Sequence, residues 1–242
     1  HLGSGARIGA ILLVHIFGNP ARAAELGAIA ADFGVPLVED AAESLAAWEG
    51  GLHTGLTGLT GALSFNGNKL VTTGGGGAIL TMDEGLGARA KHLSTTAKQS
   101  HRWAYVHDEV GYNDRMPNLN AALGCAQLAR LPAMLDQKRR LHQRWSAAFA
   151  GTGVDVLAPR PGTRSNHWLN AAVLPAGTTR VQRDAILDAA CDAGVFCRPI
   201  WAPLHTLPMY ALAPRAPLPV TMELADRIIN VPSSAHLAEL DG

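Results

Sequence analysis

The stretch "GALSFNGNKLVTTGGGGAILTM" (61–82) sets one lysine, Lys69, between two β-like segments and just ahead of four consecutive glycines. "GALSF" (61–65) and "GGAILTM" (76–82) read as strands, so the pattern predicts a strand–loop–strand unit with Lys69 in its loop. A nucleotide phosphate loop, G-x-x-x-x-G-K-[ST], does not fit. Asn68 separates Gly67 from Lys69, and Leu70 stands where Ser or Thr is required. Neither the glycine run nor "GLTGLTG" (55–61) keeps the dinucleotide-binding spacing.

Outward from this unit, residues 7 to about 125 alternate β-like and α-like segments in the manner of βαβ units. "RIGAILLVHIF" (7–17) reads as a buried strand. "ARAAELGAIAADFG" (21–34) reads as a helix closed by Gly34. "VPLVED" (35–40) is the next strand and delivers Glu39 and Asp40 to its carboxyl end, the edge at which open parallel sheets bind ligands. The helical stretch 118–150, with Asn118 as its cap and a break near Pro132, leads into a smaller α+β pattern. The organisation expected is α/β: a partial large domain over 1–125, then a connecting helix and a small C-terminal domain over 126–242.

The chain has 242 residues, 48% of them apolar, enough for a substantial core. Lys plus Arg equals Asp plus Glu at 20 each, which gives no reason to expect nucleic acid or an anionic membrane as partner. The longest apolar run, "IGAILLV" (8–14), is too short to span a bilayer, and no signal-peptide pattern opens the chain, so a cytoplasmic location is expected. Cys125, Cys191 and Cys197 show no metal-type pairing and are expected to be reduced and packed inside. The first residue is His1 rather than Met, and a strand follows almost at once, so the chain is expected to be a fragment.

Asp40, Ser64 and Lys69 make chemical sense as a set. A pyridoxal phosphate site needs a lysine for the Schiff base, a carboxylate for the pyridine nitrogen and hydroxyl or amide donors for the phosphate. Trp103, Tyr105, His107, Tyr112, Asn113 and Arg115 crowd one polar and aromatic stretch, as residues of a site or an interface do. His15, His107, Trp201 and His205 are candidates for the substrate side, with ordinary packing an equal alternative for each.

"EDAAES" (39–44), "SFNGNKLVTTGGGGAI" (64–79), "GYNDRMPNLNAALGCAQL" (111–128) and "RPIWAPLHTLPMY" (198–210) together resemble the DegT/DnrJ/StrS pyridoxal-phosphate-dependent nucleotide-sugar aminotransferases. Within that family the chain is similar to the 4-aminotransferases of UDP- or GDP-linked 2-acetamido-4-keto-6-deoxyhexoses, which lead to bacillosamine- and legionaminic-type sugars. The resemblance implies fold type I, the aspartate-aminotransferase-like fold, with a mainly parallel sheet in the large domain. It implies pyridoxal 5'-phosphate as cofactor, held covalently by Lys69, with Asp40 at the pyridine nitrogen and Ser64 at the phosphate. Glu43 stands where the family has Gln or His near the phenolic oxygen. Asn113 resembles the asparagine that reaches the phosphate in a partner subunit, which implies a homodimer with shared sites. L-Glutamate is the implied amino donor, and the freed Lys69 the acid and base of the proton shift.

Lys69 argues against the related sugar 3-dehydratases, in which a histidine replaces the lysine. Asp114 and Ala46 depart from the family pattern, in which an aromatic and a glycine are usual. Nothing in the chain corresponds to the family's N-terminal phosphate loop and ring-stacking aromatic, and a non-catalytic regulatory or scaffold homologue is the alternative reading.

Overall fold

The structure, a computed structural model, describes residues 5–240. In chain order its elements are β1 (Ile11–Val14), α1 (Ala23–Asp32), β2 (Leu37–Asp40), β3 (Trp48–Glu49), β4 (Leu52–His53), β5 (Thr60–Ser64), β6 (Gly77–Leu80) and α2 (Glu84–Ser94). There follow α3 (Asn118–Ala148), β7 (Asp155–Val156), β8 (Thr163–Arg164), β9 (Asn170–Val173), α4 (Arg180–Asp192), β10 (Arg198–Pro199), α5 (Pro219–Arg227) and β11 (Ile228–Val231). The chain forms two compact units. Ile8–Pro132 and Arg160–Asn166 build the first; Ala133–Pro159 and the chain from His167 onward build most of the second.

In the first unit β1, β2 and β5 pair in parallel, and β6 closes the sheet antiparallel, in the order β1-β2-β5-β6. The mixed α/β architecture with a mainly parallel sheet is the one expected. Leu13 and Leu37 on one face of the sheet pack on Ala23 and Ala30 of α1, with Ile11, Leu26 and Val35 around them. Each large side chain so buried contributes roughly 1.5–3 kcal/mol. Helix α1 has no side-chain cap of its own. Glu49 on β3 accepts the Ala23 N–H at 3.1 Å, and Arg160 holds the other Glu49 oxygen at 2.6 Å. A carboxylate at a helix N-terminus both accepts an orphan N–H and opposes the dipole. The returning segment also supplies β8, which completes a small sheet in the order β4-β3-β8.

Four local expectations change. The first strand ends at Val14, because Ile16–Gly18 wind into a 3-10 turn with Phe17 at φ 59°. Helix α3 runs unbroken through Pro132; one proline forfeits one hydrogen bond, and the turns on either side carry the helix across it. Asn118 is not the cap but the first helical residue, since the Pro117 carbonyl accepts the Ala121 N–H at 2.9 Å. The cysteines are unpaired, yet Cys125 on α3 and Cys191 on α4 face outward and Cys197 is only half-buried, so none is a core residue.

The second unit is built on an antiparallel sheet, β10-β11-β9-β7. Its tie to α3 is Lys138, 5% exposed, whose Nζ donates to the Trp168 carbonyl at 2.6 Å and to that of Ser233. Burial pushes this amine down to about 8. Helix α4 opens on a capping box in which Thr179 and Gln182 each bond the other's backbone. Among the described residues no helix is long and apolar enough to cross a membrane.

A backbone-to-backbone approach in the first unit lies between Gly61 on β5 and the loop before it. A Cβ on Gly61 would sit 2.3 Å from both the Cα and the carbonyl oxygen of Gly55, whereas one on Gly67 would meet nothing within 4 Å. Gly61→Ala is therefore expected to cost about 3 kcal/mol or more, and Gly67→Ala less than about 0.5 kcal/mol. Urea unfolding of the two variants measures both.

Candidate active site

Parallel pairing brings three strand ends to one edge. The register sets Val14 beside Asp40 and Asp40 beside Ala62, so β1 leads out into His15–Phe17, β2 into Asp40–Glu43 and β5 into Ser64–Lys69. In open parallel sheets this carboxyl edge is the one at which ligands bind.

Lys69 and Glu43 form its centre. The Lys69 Nζ lies 3.8 Å from Glu43 Oε1, and each side chain is only 14% exposed. The other Glu43 oxygen, Oε2, accepts the Phe17 N–H at 2.7 Å. Burial pushes the Glu43 carboxyl up; the Phe17 N–H and the Lys69 ammonium oppose this, and the nearby Asp40 charge adds to it. The result lies above the ordinary range. Asp40 opens its own turn, with Oδ1 accepting the Ala42 N–H at 3.0 Å.

The left-handed Phe17 aims its N–H at Glu43, and a non-glycine residue holds such a backbone only where its surroundings over-determine it. Here the next carbonyl, that of Gly18, accepts from Ser165 Oγ at 2.8 Å and from the Asn166 N–H at 3.2 Å. The Asn166 side chain donates to the carbonyls of Glu43 and Leu45, each at 2.9 Å. Phe17 and Asn166 are thus site residues that sequence reasoning missed. Neither carries a motif, and Asn166 reaches its partners across more than a hundred residues of chain.

The lysine loop is closed at its base. Phe65 donates to the Gly76 carbonyl and accepts from the Thr73 N–H, both at 2.9 Å, while the Lys69 N–H turns back on the Asn66 carbonyl at 3.0 Å. Asn120 at the start of α3 donates from its side chain to the Thr73 carbonyl. Ser64 Oγ accepts the Asn66 N–H at 3.3 Å, which leaves its own O–H to donate. Ala46 has φ 62°, a left-handed backbone that explains a preference for glycine there. Asp114 lines a cavity of about 790 Å³ with Gly76, Lys91, Arg115 and Asn120.

The remaining candidates lie elsewhere. His15 is fully buried, and both ring nitrogens are engaged by Glu39 and by the Ala21 N–H, so it has no face to offer a substrate. His107 is exposed and bonds the Thr96 carbonyl through Nδ1 at 2.7 Å. Asn113 pairs with Thr95 in an isolated bridge and accepts from Arg115 at 3.2 Å. Trp201 stacks on Trp168 at 6.2 Å, and His205 sits in a 3-10 turn; both belong to the second unit.

Comparison with known proteins shows the family. The model of the DegT/DnrJ/EryC1/StrS aminotransferase family matches residues 5–241. The chain is 32% identical over 231 residues to a GDP-perosamine synthase of Vibrio cholerae, covering 95% of the chain and 62% of the relative. To the GDP-perosamine synthase of Caulobacter vibrioides it is 33% identical over 239 residues, covering 97% and 63%. Among solved structures, the aminotransferase TlmJ from Streptoalloteichus hindustanus superposes with a TM-score of 0.86 at 26% identity, covering 98% of this chain and 63% of that one. The chain thus spans less than two thirds of the length of these relatives. Its fold is the fold type I of pyridoxal-phosphate-dependent sugar aminotransferases. The residues present fit that cofactor. A shielded primary amine, a strand-end carboxylate and a hydroxyl with its O–H unspent occupy one sheet edge.

Because folding raises the Glu43 carboxyl above its ordinary 4.5, the protonated form stabilises the fold and that contribution is lost as pH rises through the folded value. Glu43→Gln retains an acceptor for the Phe17 N–H. It is expected to raise Tm by about 1–3 °C near pH 7, with the gain shrinking toward pH 4.5. Thermal melts of both proteins across that range check this; a loss of Tm at pH 7 would contradict it.

Proposed function

Since the chain belongs to the DegT/DnrJ/EryC1/StrS aminotransferase family, we propose that it works as a pyridoxal-phosphate-dependent aminotransferase on a nucleotide-linked sugar. The substrate proposed is a 4-keto-6-deoxyhexose, with or without a 2-acetamido group, and the amino donor is L-glutamate. The observation that carries this reading is the Lys69–Glu43 pair beside Asp40 at the carboxyl ends of β2 and β5. The GDP-perosamine synthases among the relatives support a nucleotide-linked sugar as substrate.

Each residue then has a task. The Lys69 amine would hold the cofactor covalently and, when free, would take and return the proton that the transfer moves. The Asp40 carboxylate keeps a proton on the ring nitrogen, and the cofactor so bound supplies the electron sink for exchanging an amine with a carbonyl. Ser64 donates to the phosphate. Glu43, whose carboxyl burial pushes up, lies 3.8 Å from the Lys69 amine. Asn113 serves the phosphate of a second copy, so the active form is a homodimer in the cytoplasm. His107, exposed on the first unit, is the candidate there for the sugar nucleotide.

Incubation of the protein with pyridoxal phosphate, L-glutamate and a nucleotide-linked 4-keto-6-deoxyhexose tests this. The expected products are 2-oxoglutarate and the nucleotide-linked amino sugar, identified by mass spectrometry. Lys69→Ala is expected to lower kcat by at least about a thousandfold. Turnover by Lys69→Ala at the unmodified rate would overturn the assignment.

A further inference from the structure

Glu39 precedes Asp40 on β2, points to the opposite face of the sheet and is fully buried. A carboxylate in that position costs several kcal/mol unless every lone pair is met. Here each is. Oε1 accepts the N–H groups of Thr57 at 2.7 Å and Gly58 at 2.6 Å; Oε2 accepts the Gly55 N–H and His15 Nε2, both at 2.8 Å. Burial pushes this carboxyl up, and the bonds from His15, Gly58 and Gly55 more than offset it, holding it below the ordinary range.

His15 completes the arrangement. Its Nδ1 accepts the Ala21 N–H at 3.0 Å, which assigns the ring proton to Nε2 and makes His15 a donor to Glu39. Its own backbone N–H donates to the Asp40 carbonyl at 3.0 Å, and on the other side the Ala41 N–H donates to the Ala62 carbonyl at 2.9 Å. The peptide that carries Asp40 is therefore gripped by β1 and β5 and anchored from beneath through Glu39. Neither Glu39 nor His15 has a part in the chemistry described above.

We propose that the Glu39–His15 pair is the positioning device for Asp40: the caged carboxylate fixes the end of β2 so that the Asp40 side chain holds one place at the ring nitrogen. The proposal rests on the reading of Asp40 given under the proposed function. Glutamine cannot replace Glu39, because its amide nitrogen is a donor set among N–H groups that are themselves donors. The fault is confined to one face of β2, and its consequence emerges on the other.

The test compares the protein with Glu39→Gln, and with Ala225→Gly as a control that loosens α5 in the second unit. Two quantities are read: hydrogen exchange at the Gly55, Thr57 and Gly58 amides, and the pH dependence of the visible spectrum after loading with pyridoxal phosphate. Glu39→Gln is expected to speed exchange at the three amides at least about tenfold. It is also expected to move the spectral transition about one pH unit lower, because a displaced carboxylate holds the ring proton less well. Ala225→Gly is expected to move neither. An unchanged spectral transition in loaded Glu39→Gln, or an equal shift in Ala225→Gly, overturns the proposal. If Glu39→Gln does not fold, His15→Phe, which keeps three of the four donors to Glu39, is expected to show a smaller shift in the same direction; no shift overturns the proposal. A protein that takes up no cofactor, but whose three amides are protected by Glu39, overturns the role of Asp40 and the proposed function while the cage itself stands.

Discussion

A buried carboxylate met by four donors sets the geometry on which the rest of the first unit depends. Glu39 draws the 55–58 loop against the sheet and engages the ring of His15 at the end of β1. That demand explains why the loop is rich in glycine, since Gly55 and Gly61 touch backbone to backbone where no side chain fits. It also fixes how β1, β2 and β5 end, and therefore where Asp40, Glu43 and Lys69 emerge. The chemistry sits on one side of β2 and its foundation on the other.

Much of this was legible from the sequence, and the reasons are physical. Apolar periodicity and glycine punctuation marked β2, β5, β6 and α1 to within a few residues, because those elements are defined by local patterns. Asp40 stood out at a strand end and, with Ser64 and Lys69, as a set that suits pyridoxal phosphate, whereas Glu43 was marked only by the family resemblance. What stayed hidden depends on contacts distant in the chain. A glutamate in a strand reads as a surface residue until its backbone donors are known, and Phe17 at φ 59° follows no residue preference. Asn166 belongs to a segment that rejoins the first unit after the long helix. The unbroken helix at Pro132 and the outward cysteines show the same limit: local preference yields to what the neighbouring turns and faces require.

The Lys69–Glu43 pair, at 3.8 Å, is looser than the 2.8 Å contact between His15 and Glu39, and burial pushes the carboxyl of its acid partner up. The His15–Glu39 contact, by contrast, belongs to a carboxylate that meets four donors. Glu39 and Glu43, four positions apart, thus sit in unlike settings: one is caged by backbone N–H groups and His15, and the other lies beside an amine.

The central claim is that Lys69 is the residue that takes up the cofactor. Its most direct test is borohydride reduction of the protein after incubation with pyridoxal 5'-phosphate, followed by peptide mapping of the fixed label. The account predicts a single labelled peptide containing Lys69, and no label at that peptide without reduction. Label spread over other lysines, or a Lys69 peptide that stays unmodified, would contradict it.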